Sequence, residues 1–372
     1  MSTTGRDDAS ATIPSDIATT LADATFVRLV SGVTGDALAG TGVLARALAD
    51  SGTPFQASAV GPFADPDRST DADVTVALGR QYTAADHTVR DRIAPAAFEA
   101  ARELGVTASP TLALAGTIAA GDTDSRVAEA AEQAGVTRRP GVAVPATDLA
   151  DGLAHSTLLS APFSGDSDAA RAALASLDLP DDLSEDDHRR VASLTALAVT
   201  DAEDASPRAA EAVQRALRPY VGGPFETVGG YADVLDTVGR EQPGTAVALA
   251  LGHDGVREDA LVAWRRHANR AHEAVQTATT GRYEGLFVAR GDEMPIGTVA
   301  RLLSQYRSPE PVTLVVTDGH AAARATDGRD VAAAMDAAAA TVDGEAVGTG
   351  TRARARFDVS TADLIEAFRE AV

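Results

Sequence analysis

The chain contains no cysteine and no lysine; all 32 of its basic residues are arginine. Without cysteine there are neither disulfides nor thiolate metal sites. Without lysine no phosphate loop of the Walker type can form, although Gly35-x-x-x-x-Gly40-Thr41 has part of its spacing. Aromatics are scarce, at 4% of residues against 45% hydrophobic overall, so the cores must be built from Ala, Val and Leu. No apolar run approaches the ~20 residues of a membrane span. The first residues, MSTTGRDDASATIPSDIATT, lack the apolar stretch of a signal peptide and read as a polar, mobile leader. The expectation is a soluble, cytoplasmic protein.

What is abundant is negative charge. Asp and Glu number 54, giving a formal net charge of −22 over 372 residues. At ordinary ionic strength that charge repels nucleic acid and strains the fold. In molar salt the Debye length falls to ~3 Å, and an acidic, lysine-free surface suits a halophilic archaeon. Net charge therefore carries little functional weight, whereas local arginine clusters keep theirs, because bidentate hydrogen bonds survive screening better than long-range attraction.

The chain is organised around Phe26–Leu48, FVRLVSGVTGDALAGTGVLARAL. This reads as a buried strand (Phe26–Val30), a glycine-bearing loop (Ser31–Gly42) and a helix starting near Thr41. Such a loop lies at the carboxyl end of a parallel strand, where open α/β sheets place their chemistry. Here it holds a single acid, Asp36, flanked by Gly32, Thr34 and Ala37. Further strands are expected at Phe55–Val60, Val74–Leu78 and Thr245–Leu251 (TAVALAL), with Asp65–Asp73 a loop and Gln81–Ala94 irregular. Pro95–Leu104, Leu112–Ala120 and Ser125–Ala134 read as helices, followed by a helical stretch from Leu149. Arg257–Thr277, which holds the single tryptophan, Trp264, has the mixed composition of a connector helix. Beyond it, strands are expected at Gly285–Ala289, Val312–Thr317, Ala321–Ala325 and Ala353–Val359, with Asp318-Gly319 a hairpin turn. Helices are expected at Met294–Tyr306, Val331–Thr341 and Thr361–Ala371.

The histidines (His87, His155, His188, His253, His267, His272 and His320) show no metal-binding helical spacing. His267 and His272 fall on different helix faces, and surface or capping roles are the default. No G-x-G-x-x-G follows the first strand, which argues against a dinucleotide fold. Arg352, Arg354 and Arg356 alternate along one expected strand and so share a face. Arg324 lies on a neighbouring one. This is either a phosphate-gripping surface or an arginine–carboxylate network.

From Phe26 onward the order of segments resembles the RecJ-like DHH phosphoesterases. The resemblance is particularly to archaeal RecJ-type proteins and the non-catalytic RecJ-like subunit of the eukaryotic replicative helicase. The first motif of that family has the form SHxDxDG, ahead of a helix ending in LARAL. ADVTVALG (Ala72–Gly79) stands at its second motif and LALAGTIAAGD (Leu112–Asp122) at its fourth. HSTLLSAPFSG (His155–Gly165), GGYADVLDTVGR (Gly229–Arg240) and ALALGHD (Ala248–Asp254) resemble its middle region. VTLVVTDGHAAARAT (Val312–Thr326) and VGTGTRARARF (Val347–Phe357) resemble its associated C-terminal domain.

The resemblance implies an α/β protein: a leader (1–22), a parallel-sheet DHH-like domain with a helical insert (23–255), a connector helix (256–281) and a smaller α/β C-terminal domain (282–372). Active members hold two divalent cations, Mn²⁺ or Mg²⁺, on acids and histidines. In this chain Gly32 takes the histidine position of the first motif, Thr34 takes the first aspartate's, and only Asp36 remains. Ala77 replaces the acid of the second motif. Asp86-His87-Thr88 is the nearest remnant of the DHH triplet, and Asp122 fits the fourth motif. Asp36, Asp86, His87 and Asp122 are thus the vestigial metal candidates, too few for a cation pair that needs roughly six protein ligands. The competing reading makes Asp36 and Asp122 helix caps or loop acids.

No catalytic residue is assigned and no cofactor is expected, beyond Mn²⁺ or Mg²⁺ if a residual site survives. By resemblance the function is that of a degenerate RecJ-like scaffold of the replication machinery, with GINS and the MCM helicase as partners. Single-stranded DNA would be held by Arg324, Arg352, Arg354 and Arg356. The alternatives are an active single-strand exonuclease and a phosphatase of small phosphoesters.

Overall fold

In the computed structural model, residues 14–66 and 70–372 are described. The chain divides into two compact units. One comprises Met1–Gly135 with Val238–Ala260, the other Val136–Thr237 with Leu261–Val372. No helix among the described residues is long and apolar enough to cross a membrane.

The first unit begins with α1 (Pro14–Ala22), which buries Ile17, Ala18 and Leu21. The latter part of the expected polar leader is therefore an amphipathic helix, and the residues before Pro14 lie outside the described ones. Strand β1 (Val27–Ser31) leads into α2 (Gly35–Ser51), and β2 (Phe55–Ala59), β3 (Val74–Leu78) and β4 (His87–Val89) follow. The four strands form a parallel sheet in the order β2-β1-β3-β4. The central strands β1 and β3 are buried along their whole length and are mainly apolar, with Arg28, Ser31 and Thr75 the buried exceptions. Helices α3 (Ile93–Glu103), α4 (Pro110–Ala120) and α5 (Ser125–Gln133) complete this stretch.

Helix α2 begins at Gly35 rather than near Thr41, with Thr34 as its N-cap. The glycines that made this stretch read as loop serve close packing instead. A Cβ on Gly40 would stand 2.9 Å from the Ile93 side chain, and one on Gly42 only 2.5 Å from the Ala250 carbonyl oxygen.

The insert runs through β5 (Thr137–Arg138), α6 (Leu149–His155), α7 (Ser167–Ala175), α8 (Glu185–Thr200), α9 (Ala209–Gln214) and β6 (Tyr220–Val221). Next come α10 (Val228–Glu241) and α11 (Pro243–Leu251). Helix α11 replaces the strand expected at TAVALAL. Pro243 opens it, Gly252 closes it in the left-handed conformation (φ 94°), and Ala and Leu favour helix in between. A short apolar run does not by itself separate the two states.

Helix α12 (Arg257–Thr277), expected as a connector between domains rather than a core helix, does pass from one unit to the other, but it also carries a buried face. Ala263, Trp264, His267, Ala268 and Ala271 are buried, and Trp264 is wholly so. The C-terminal sheet contains β7 (Thr279–Tyr283), β8 (Leu286–Arg290), β9 (Val312–Thr317), β10 (His320–Ala325), β11 (Glu345–Thr349) and β12 (Arg352–Arg356). Their order is β11-β12-β10-β9-β8-β7. The β9–β10 hairpin turns at Asp318-Gly319, with Gly319 at φ 73° where only glycine sits without strain.

One face of this sheet packs on α14 (Val331–Thr341) and α15 (Thr361–Ala371) through Leu314, Val316, Met335, Leu364 and Phe368. The other packs Ala289, Val315 and Ala322 against α13 (Ile296–Leu302) and the following π-helical turn. The insert's Leu153, Leu159, Phe163 and Val191 join that same core. The insert was expected within the N-terminal domain; its apolar face is instead buried with the C-terminal sheet.

Candidate functional site

The carboxyl ends of β1 and β3 are filled with backbone and methyl groups. Gly32 N–H donates to the Leu78 carbonyl (2.7 Å), and a Cβ at Gly32 would lie 2.8 Å from the Gly79 oxygen. A Cβ on Gly79 would meet that of Ala37 at 2.7 Å, and one on Gly116 those of Ala94 and Ala39 at 2.5 and 2.6 Å. At these three glycines even a methyl group would collide with its neighbours.

Asp36, 8% exposed, points into this packing with its carboxylate engaged. Ala94 N–H donates to Oδ1 (2.8 Å) and Ile93 N–H to Oδ2 (3.2 Å). These are orphan donors at the start of α3, whose own N-cap residue, Arg92, supplies no side-chain cap and sits at φ 47°. Asp36 thus caps α3 from a distance and places a negative charge at its positive end.

The other expected ligands lie apart. Asp122 is exposed beyond the end of α4 and accepts from the Thr123 N–H (2.7 Å). Asp86 accepts from the Thr75 N–H (2.8 Å). His87, on β4, bonds through Nε2 to the Thr20 hydroxyl (2.8 Å). Among the described residues, no group of three histidines, aspartates or glutamates comes together in a way that would hold a metal ion. The donors present do not fit the two-cation centre that the resemblance implies.

The four arginines stand on one face of the C-terminal sheet, as their alternation required. Arg324 is opposite Arg352 across β10 and β12, and Arg354 and Arg356 follow on the same side of β12. They are not equivalent. Arg352 is exposed, and Arg354 lies against the first turn of α13, with Nη2 2.5 Å from where a Cβ of Gly297 would be. Arg356 pairs with Glu345 at 2.6 Å. Arg324 is drawn into the sheet; desolvation holds its affinity for a proton well below the ordinary arginine range, helped by Arg352 and Arg301.

A buried polar hub in the second unit was not legible as such. Asp233 on α10 is 1% exposed and accepts from Thr157 N–H (2.9 Å), from the Thr157 hydroxyl and from Trp264 Nε1 (2.9 Å). Burial raises its carboxyl pKa, while Arg301 and these donors pull it back. Arg301 donates to the Thr157 carbonyl (2.8 Å) and hydroxyl (2.7 Å). His272 Nε2 meets the Ser156 carbonyl (3.0 Å), and His267 Nε2 the Thr298 hydroxyl (2.8 Å). His155, His267 and His272 are thus core residues rather than surface or capping ones. The only sequence signal was the apolar setting of Asp233 and of the HST triplet at His155–Thr157.

Over its whole length, and over the whole of the relative, the chain is 73% identical across 374 aligned residues to "Uncharacterized protein rrnAC1427" of Haloarcula marismortui. The chain belongs to the rrnAC1427 family. Residues 278–370 also match the model described as the C-terminal domain of that protein. The rrnAC1427 family has the RecJ-like DHH fold. A crystal structure of exonuclease RecJ bound to manganese matches with a TM-score of 0.53 at 15% identity, over 97% of this chain and 93% of that one. CDC45 from Entamoeba histolytica matches at 0.58 and 8% identity, over 93% and 95%. RecJ of Thermus thermophilus in complex with Mg²⁺ matches at 0.52 and 15% identity; 96% of this chain covers 52% of it, so the chain spans about half that protein's length. At these identities the likeness is one of fold.

Proposed function

We propose that this protein is a non-catalytic RecJ-like scaffold of the replication machinery. In this reading it associates with GINS and the MCM helicase and holds single-stranded DNA on the face bearing Arg324, Arg352 and Arg354. One observation carries it. At the strand edge where the fold family's hydrolases do their chemistry, the surviving carboxylate, Asp36, caps α3, and glycine and alanine close the remaining space. A paired-cation phosphodiesterase must hold its metals on several converging oxygen and imidazole donors. The similarity in fold to CDC45 supports a replication setting. The exposed Arg352 of β12 supports phosphate contacts, since bidentate guanidinium–phosphate bonds outlast salt screening.

The test combines three measurements on the full chain in molar KCl. Metal analysis of the purified protein is expected to find no stoichiometric Mn²⁺ or Mg²⁺. Single-stranded DNA incubated with Mn²⁺ is expected to stay intact. Affinity purification from native lysate is expected to recover GINS or MCM subunits. Robust Mn²⁺-dependent cleavage that disappears in Asp36→Ala would establish the exonuclease reading instead, and turnover of a short dinucleotide would establish the small-phosphoester phosphatase.

A further inference from the structure

One edge of the C-terminal sheet, β7, is left open by the rest of the described chain. β7 forms a hairpin with β8, and Tyr283 and Leu286 close it around Glu284-Gly285. The pair that closes so short a turn exchanges its hydrogen bonds, and the direction then alternates along the strand. The N–H and C=O groups of Tyr283, Gly281 and Thr279 therefore face β8, and those of Thr280 and Arg282 face outward. No hydrogen bond among the described residues reaches these outward groups. Thr279, Thr280, Arg282 and Tyr283 are exposed, and Gly281 is half-buried.

Open edges are usually blunted by proline, a bulge, an unpaired charge or a covering segment. Among the described residues β7 has none of these. Its register with β8 is unbroken over Thr279–Tyr283, it lacks proline, and its one charge, Arg282, is paired with Glu310. It also carries an aromatic ring, Tyr283, that is 37% exposed. The Arg369 guanidinium of α15 stands 4.0 Å from the ring centre. A Cβ on Gly281 would lie 3.6 Å from Tyr283 Cε2, so the ring leans back along the edge towards Gly281.

We propose that β7 is the interface of a twofold homodimer, in which two copies join their C-terminal sheets edge to edge and antiparallel, with Gly281 on the axis. In that register Thr280 faces Arg282 of the second copy and Arg282 faces its Thr280, so every outward group is used, in about four hydrogen bonds. Gly281 opposes its own counterpart and Thr279 opposes Tyr283, so the paired glycines make room for both tyrosine rings. An axis at Thr280 would leave Arg282 opposite Ala278, outside the strand, and one at Arg282 would set like charges directly opposite each other. Self-pairing closes after two copies, whereas β7 added to β11, the other edge of the sheet, would propagate without end. At a formal −22 per chain two copies repel in dilute buffer, and in molar salt a Debye length of ~3 Å removes that repulsion. The pairing goes beyond the scaffold reading and does not depend on GINS or MCM.

Analytical ultracentrifugation of the full chain in molar KCl tests it. A dimer that dissociates on dilution is expected, and more readily in low salt. Thr280→Pro removes an outward N–H that β8 does not use, a place where an edge strand accepts proline. It takes one hydrogen bond from each copy and is expected to weaken the dimer about a hundredfold, with circular dichroism unchanged. Gly281→Cys reads the register directly, because the chain has no other cysteine. Its Cβ would meet only the Tyr283 ring, in ordinary contact at 3.6 Å, so the fold is kept. Across the axis the two Cα atoms would be ~4.5 Å apart, within disulfide range, and mild oxidation is expected to give a covalent dimer. Val347→Cys, on β11, is expected to stay monomeric on a non-reducing gel.

A parent that stays monomeric up to ~1 mM would overturn the proposal. So would a dimer that survives Thr280→Pro, a disulfide at Val347→Cys as fast as at Gly281→Cys, or masses that grow past two copies. Should Thr280→Pro unfold, the Gly281→Cys disulfide still decides, and its absence sinks the pairing. A monomer that recovers GINS or MCM from lysate would sink the dimer and leave the scaffold standing. A dimer that recovers neither would do the reverse.

Discussion

Replacing Asp36 separates a helix cap from a vestigial metal ligand. In Asp36→Ala the N–H groups of Ile93 and Ala94 lose their acceptors inside a packed interface, where water does not replace them. An orphaned buried donor costs about 1–3 kcal/mol, and loss of a capping side chain about 0.5–2 kcal/mol. The two estimates describe the same lost contacts, so they are not summed and the expected loss is about 1–3 kcal/mol. Asp36→Asn keeps one acceptor oxygen and loses the charge, for about 1–2 kcal/mol. Urea denaturation followed by circular dichroism, with and without Mn²⁺, measures both. Fluorescence of Trp264, which is buried in the second unit, gives a second readout beside circular dichroism. A metal ligand behaves oppositely: Mn²⁺ at about 100 times its Kd would stabilise the parent by about 2.7 kcal/mol, and the alanine variant would not respond. Parent and Asp36→Ala agreeing within about 0.5 kcal/mol without metal would refute the capping argument.

Two further perturbations test the packing and the hub. Gly116→Ala would place a methyl 2.5 Å from Ala94 Cβ and 2.6 Å from Ala39 Cβ; overpacking of about 1–3 kcal/mol should outweigh the ~1 kcal/mol that alanine adds in a helix. If that edge had room for cations, the same change would be neutral or stabilising in a melt. His272 is held to about 4, against an ordinary 6.5, by burial first and by His155, Arg301 and His267 after it. With its folded value depressed, the histidine is neutral in both states above pH 6.5. Below that the unfolded chain takes up the proton first, so stability falls by ~1.4 kcal/mol per pH unit down to about pH 4, about 3 kcal/mol in all. Asp233, raised by burial, acts in the opposite sense in acid, so the readout is the difference in slope between parent and His272→Gln. Parallel slopes would show that His272 is accessible to protons in the fold.

Local chemistry was legible wherever it decides structure alone. The β9–β10 hairpin follows from two apolar runs around Asp318-Gly319. The common face of Arg352, Arg354 and Arg356 follows from the pleat. The lack of lysine and cysteine closed whole classes of site before any fold was considered.

Tertiary structure decided whatever depends on a distant partner. TAVALAL is apolar enough for either state, and became helix where Pro243 and Gly252 bound it and α2 and β2 bury it. The mixed composition of α12 suggested a connector rather than a core helix, yet the face through Trp264 finds Asp233 and a core that no window of sequence contains. Asp36 is a cap because α3, 57 residues on, starts without one of its own. Arg324 differs from the other arginines because Thr313, Arg301 and Arg215 arrive from separate segments. Sequence sets which groups exist and their local period; burial and partnership, which fix the charge state and duty of each group, are properties of the packed chain.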